Sequence, residues 1–279
     1  MKKGDIVLIT GGNSGMGKAT SIELAKQGAH VVILCRSKER GEAALQEIRA
    51  ESNNQLVDLM LCDLGSKSSI REFVKNFKEK YNRLDILINN AGVILPGRHL
   101  TTDGYELQFG VNHLGHFLLT NLLLETMKNN TDARIINVSS GAHKAGKMYF
   151  HDINLEKNYS IIRAYSRSKL ANVLFTNELS RRLKCSGITV NCLHPGAVAT
   201  SMGINRKTGF GTFITSLLKP FFLTAVKGAD TAIFLATAPE VKGMTGKYFY
   251  KRKAISSSKT SYDEALAKKL WDISVEMTQ

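Results

Sequence analysis

Six short runs of β-branched and apolar residues recur along the chain at 5–10 (DIVLIT), 30–35 (HVVILC), 55–62 (QLVDLMLC), 84–89 (LDILIN), 133–139 (ARIINVS) and 187–194 (GITVNCLH). Between them lie amphipathic stretches at helical spacing, at 16–27, 37–50, 67–80, 103–128 and 162–184. Runs that are apolar at successive positions need cover on both faces, which a parallel sheet with helices on each side provides. Right-handed crossovers then make this α/β chain a doubly wound parallel sheet. A shorter strand candidate, GKYFY, ends at Tyr250. In such a sheet ligands sit beyond the carboxyl ends of the strands, so those ends are where chemistry is expected.

With 279 residues, 43% of them hydrophobic, no repeat and only four prolines, a single domain over 1–279 is expected. The first strand-like run begins within a few residues of Met1, and no apolar span of membrane length follows. The expectation is a soluble, cytoplasmic protein without a transmembrane anchor. Cys35, Cys62, Cys185 and Cys192 form no metal-like pair and read as buried reduced thiols. The net charge of +14 raises nucleic acid as a partner, but the basic residues are dispersed rather than clustered with aromatics. No nucleic-acid partner is expected, and an anionic small molecule accounts for only part of the charge.

The first strand runs into TGGNSGMG at 10–17. Gly11 and Gly15 allow a tight turn and close approach to a pyrophosphate, and Gly17 lets the following helix pack near the strand. Asn13 and Ser14 are placed to cap that helix. The turn residues Gly11, Asn13, Ser14, Gly15, Met16 and Gly17 are therefore candidate phosphate contacts. At the end of the second strand an acid would suit a free ribose, whereas an Arg suits a ribose phosphate. The sequence there reads CRSKER, with Arg36 nineteen residues past Gly17 and Ser37 beside it. A guanidinium grips a phosphate through two hydrogen bonds, so the expected cofactor is NADP(H). Lys38 and Arg40 read equally well as a solvated helix start.

Tyr165 and Lys169 stand four residues apart and share one helical face. A nearby ammonium favours a phenolate, so Lys169 is expected to lower the Tyr165 pKa and fit it for proton exchange. Ser140, at the end of the fifth strand, is placed to hydrogen-bond a substrate oxygen. His113 and His116 have no acidic or cysteine partners in a metal pattern and read as packing residues, so no metal is expected. His143 and His151 are open candidates for substrate contact.

Taken together, TGGNSGMG, CDL (62–64), NNAG (89–92), Asn112 in VNHLGHFLLT, NVSS (137–140), YSRSK (165–169) and HPGAVAT (194–200) resemble the short-chain dehydrogenase/reductase (SDR) superfamily over almost the whole chain. CRS, VNHLGHF and YSRSKLAN are similar to its retinol dehydrogenase group. The resemblance implies a Rossmann-like fold and an Asn112–Ser140–Tyr165–Lys169 tetrad, with Asn112 holding a water in a proton relay. It further implies Asp63 and Leu64 bordering the adenine, with Asn89, Ala91 and Gly92 lining the cofactor channel. Pro195, Gly196, Val198 and Thr200 would meet the nicotinamide half, and Lys169 its ribose. Relatives commonly pair through the two long helices, which implies a homodimer or homotetramer. Two departures stand out: membrane-bound members carry an N-terminal anchor not seen here, and Ser14 stands where many NADP-dependent relatives have a basic residue.

The apolar, aromatic-rich stretch 202–228 reads as a lid and substrate wall, which suits a small hydrophobic carbonyl or alcohol. The function expected is an NADP(H)-dependent oxidoreductase that reduces a hydrophobic aldehyde or ketone. The alternative is a catalytically silent NADP(H)-binding redox sensor.

Overall fold

The computed structural model describes residues 1–128, 130, 132–196 and 224–279. Its first half alternates β1 (Ile6–Thr10), α1 (Gly15–Lys26), β2 (His30–Cys35), α2 (Lys38–Ser52), β3 (Val57–Leu61), α3 (Lys67–Lys80) and β4 (Ile86–Asn89). Next come α4 (Leu107–Phe109), a π-helical turn (Gly110–Leu114), α5 (Gly115–Met127), β5 (Arg134–Val138), α6 (Ile161–Arg182) and β6 (Thr189–Leu193). The last described part holds α7 (Ala225–Thr237), β7 (Tyr248–Tyr250), β8 (Lys253–Ile255) and α8 (Glu264–Thr278).

The strands form one sheet in the order β3-β2-β1-β4-β5-β6-β7-β8. Every neighbouring pair is parallel except β7 and β8, an antiparallel hairpin at the edge. The expected doubly wound sheet is present, extended by a strand and a C-terminal helix that the sequence reading did not pick out. Strand periodicity explains the two cores. Leu8, Val32, Leu87, Ile135 and Val190 face α3, α5 and α6, and their neighbours Val7, Ile9, Ile33, Ile88 and Ile136 face α1, α2 and α7. Strand order reverses between β1 and β4, so the loops that follow those two strands flank the crevice where such sheets bind ligands.

Two expectations change here, and a third falls mostly outside the described residues. The helix read over 103–128 begins only at Leu107 and opens with the π turn. Cys185 is exposed, whereas Cys35, Cys62 and Cys192 are buried. Of the stretch read as a lid, residues 202–223 lie outside the described residues, and 225–228 form the first turn of α7. Among the described residues no helix is long and apolar enough to cross a membrane.

Candidate active site

The turn after β1 is shaped by contacts that only glycine permits. Gly11 and Gly15 have positive φ, +65° and +51°. A Cβ on Gly17 would stand 2.2 Å from the Gly11 carbonyl oxygen, and one on Gly12 would stand 2.7 Å from Ile33 Cγ2. Gly12 was missed in the sequence, because its constraint comes from the packing of β2. Ser14 occupies the N-cap of α1 in extended conformation, but its side chain makes no capping bond, contrary to expectation. No acid lies in the first turn of α1. Free N–H groups and a positive dipole end therefore meet no competing carboxylate, and a pyrophosphate fits the cradle.

Thr10 holds the two sides of the crevice together. Its hydroxyl oxygen accepts from Asn90 N at 2.8 Å and Ala91 N at 2.9 Å, and Asn90 Nδ2 donates to the Thr10 carbonyl at 2.7 Å. Asn89 behaves differently from expectation. Its side chain is buried and donates to Thr120 Oγ1 and Asn137 Oδ1, so it serves the interior, and Asn90 is the residue that meets the glycine turn. Strand alternation puts the two neighbouring asparagines on opposite faces.

Arg36 stands at the carboxyl end of β2 with a side chain 70% exposed, 4.0 Å from Asp63 Oδ2. It lines a cavity of about 480 Å³ together with residues of β3 and its exit, Asp63 among them. Asp63 Oδ1 accepts from Gly65 N, whereas Leu64 is buried and its carbonyl backs onto Gly115. The Ser37 hydroxyl caps α2 by accepting from Arg40 N at 3.4 Å. Pro195 and Gly196 follow β6, with Gly196 N donating to His194 Nδ1 at 3.1 Å. Val198 and Thr200 lie outside the described residues.

At the end of β5 the two serines divide. Ser139 Oγ donates to the Lys169 carbonyl at 2.8 Å and ties the strand to α6. Ser140 N-caps a short 3-10 turn (Gly141–Ala145), where its Oγ accepts from Ala142 N at 3.2 Å. That leaves the Ser140 O–H free to donate. The Tyr165 phenol lies against it. Burial pushes that phenol above its ordinary value, and the Ser140 hydroxyl offsets part of the rise. The expected lowering by Lys169 does not appear: the ammonium lies 5.7 Å from the Tyr165 ring centroid, and desolvation is the largest influence on the phenol. Lys169 is itself buried, with Nζ donating to Val138 O at 3.2 Å, and burial lowers its pKa to about 8.

Asn112 sits inside the π turn with its side chain fully used. Its Oδ1 accepts from Val93 N at 2.7 Å, and its Nδ2 donates to Val93 O and Ser168 Oγ. Beneath it, His116 Nδ1 lies 3.1 Å from the Asn112 carbonyl and Nε2 lies 2.9 Å from Thr10 Oγ1. A carbonyl only accepts, so Nδ1 carries the proton and Nε2 accepts from Thr10. Burial lowers the His116 pKa to about 4 and that of His113 to about 3, so both rings are neutral near pH 7. Both histidines are packing residues, as read from the sequence. No group of three metal-ligating side chains occurs among the described residues. His143 is fully buried, which removes it as a substrate contact, and His151 is exposed on the surface loop before α6.

Residues 5–209 match the short chain dehydrogenase family. Retinol dehydrogenase 13 of Homo sapiens is 48% identical over 275 residues, covering 96% of this chain and 82% of that protein. The crystal structure of an uncharacterized protein from Mycobacterium Paratuberculosis superposes with a TM-score of 0.78 at 35% identity, covering 99% of this chain and 94% of that one. An actinorhodin polyketide ketoreductase solved with NADPH aligns at 26% identity and a TM-score of 0.68, covering 89% of this chain and 97% of that one. With its glycine turn, paired crevice loops and Ser–Tyr–Lys grouping, the chain belongs to the short-chain dehydrogenase/reductase superfamily and to its retinol dehydrogenase-like group, an oxidoreductase of alcohols and carbonyls.

Proposed function

We propose that the protein is an NADP(H)-dependent oxidoreductase that reduces a hydrophobic aldehyde or ketone. One observation carries the reading: Ser140, Tyr165 and Lys169 meet at the carboxyl end of β5, across the crevice from the glycine turn. When bound, a nicotinamide cofactor would supply the hydride that the carbonyl carbon receives. The Tyr165 hydroxyl gives the substrate oxygen its proton, and the Ser140 O–H, held by the Ala142 bond, donates a hydrogen bond to the same oxygen. Lys169 would hold the ribose and restore the proton on Tyr165. A relay water behind it would sit on the second lone pair of the Asn112 backbone carbonyl, since the Asn112 side chain is spent on Val93 and Ser168. Arg36 selects the ribose phosphate. The exposed guanidinium beside an open cavity supports that choice, as does the NADPH named with the ketoreductase. A hydrophobic carbonyl substrate is supported by the likeness to retinol dehydrogenases.

The test is NADPH consumption by the purified protein against a panel of aldehydes and ketones, retinal included. Tyr165→Phe is expected to lower kcat by about a thousandfold, within the range for losing a general acid. Arg36→Asp is expected to shift preference toward NADH. Tight NADPH binding without turnover on any carbonyl or alcohol would instead favour the silent sensor, and unchanged cofactor preference would remove Arg36 as the selector.

A further inference from the structure

The Ser140 hydroxyl depends on a very short element. Its oxygen is oriented by Ala142 N, and His143 N closes the turn onto Ser140 O at 3.1 Å. A five-residue 3-10 turn contributes little stability alone, so something else must hold it. At its far end Gly146 is pressed onto α6, where a Cβ would stand 2.5 Å from Ser166 O. Near Ser140 the hold comes from the His143 ring. Its Nδ1 lies 2.8 Å from Ser140 O and its Nε2 lies 3.0 Å from Ser258 N. The carbonyl must accept and the backbone N–H must donate, so only the neutral ring protonated at Nδ1 satisfies both bonds. The Tyr248 ring packs on it with centroids 4.8 Å apart. Burial lowers the His143 pKa, which keeps the ring in that neutral form. Ser258 belongs to the C-terminal segment, beyond the residues that match the family.

We propose that His143 is a positioning residue for the Ser140 hydroxyl, clamping the turn that carries it to the C-terminal segment at Ser258. The kinetic consequence rests on the proposed function, whereas the clamp itself does not. Ser258 offers a clean test because its φ of −69° is the value proline adopts. Ser258→Pro deletes the N–H that bonds His143 and keeps the backbone angle.

Two readouts separate the outcomes. In the free protein, amide hydrogen exchange at Ala142 and His143 is expected to rise about tenfold in Ser258→Pro, as for the loss of one supporting hydrogen bond. In turnover, kcat is expected to fall by a similar factor of about ten with the KM for NADPH unchanged. His143→Gln, whose side-chain oxygen still accepts from Ser258, is expected to keep more activity than His143→Leu. Adding His143→Leu to Ser258→Pro is expected to cost little more than the worse single change. Unchanged exchange at Ala142 and His143 overturns the clamp, and so does a parallel fall of kcat and NADPH affinity. If the wild-type protein reduces no carbonyl, the function proposed above fails, and the exchange arm still decides the clamp.

Discussion

Lys169 carries an ammonium into a fully buried position with one backbone acceptor, Val138 O. Burial lowers its pKa to about 8, against about 10.4 for a free lysine, so holding it charged opposes folding. Between those values the unfolded chain binds more protons than the folded one, and stability rises with pH. Below pH 8 both states are protonated and the full penalty is present; above the unfolded value it is gone. Lys169→Met is therefore expected to be more stable than the wild type at pH 7, by on the order of 3 kcal/mol, while losing turnover. Urea unfolding of both proteins at pH 7, 8.5 and 10 checks this, since the gap should close as pH rises. A less stable methionine variant at pH 7 would mean that the Val138 bond outweighs desolvation. The helical spacing of Tyr165 and Lys169 was legible in the sequence. The net direction of the Tyr165 shift was not, because it is set by burial under the surrounding layers of side chains, which spacing does not report.

The π turn that holds Asn112 shows what a sequence reading loses at the scale of an element. The periodicity over 103–128 suggested one continuous helix, yet regular structure begins at Leu107 under a cap made by Glu106. The Glu106 carboxylate accepts from Gln108 N and Phe109 N, both at 2.9 Å, and also from Arg167 Nη2 at 2.9 Å. Both charged side chains are fully buried. Arg167 lies between Tyr165 and Lys169 on α6, donates also to Ile153 O, and sets its guanidinium 4.7 Å from the Phe109 ring centroid. One ion pair thus fixes the helix carrying Asn112 to the helix carrying Tyr165. No local propensity announces a bond between residues 61 apart. Breaking one partner of a buried pair leaves the other charge without compensation, which costs about 3–5 kcal/mol. Glu106→Leu is expected to lose that much in chemical denaturation. Glu106→Leu with Arg167→Met is expected to recover a large share, because no charge is then stranded. A double variant as unstable as the single would show that the loss comes from the helix cap.

Across the whole molecule, α8 decides which surfaces remain open. The family resemblance read from the sequence implies pairing through two long helices, here α5 and α6. Those are the helices that α8 covers. Leu170, Ala171 and Leu174 of α6 share one core cluster with Ala267 and Leu270 of α8. The Trp271 ring lies 4.9 Å from that of Phe117 and 5.9 Å from that of Phe175, and the Arg182 guanidinium sits 4.2 Å above it. Polar bonds fasten the same helix: Ser274 Oγ lies 2.9 Å from His113 Nε2 in the π turn, and Tyr105 OH donates to Met277 O at 2.7 Å. A second copy could not use this α5–α6 face without displacing α8, and displacement would expose Leu270, a fully buried side chain. Light scattering on purified protein is therefore expected to give the mass of one chain. Leu270→Ala should cost about 2–5 kcal/mol, as for other buried leucines, and loosen α8. The uncovered strip around Phe117 and Phe175 should then drive association, seen as a concentration-dependent rise in mass. A wild-type dimer that survives Leu270→Ala unchanged would mean that pairing uses a different face, and a dimer lost in that variant would make α8 the interface. The strand alternation that specifies the sheet could be read from the sequence. The role of α8 could not, because its apolar stripe acquires a partner only when the chain brings it back against α5 and α6.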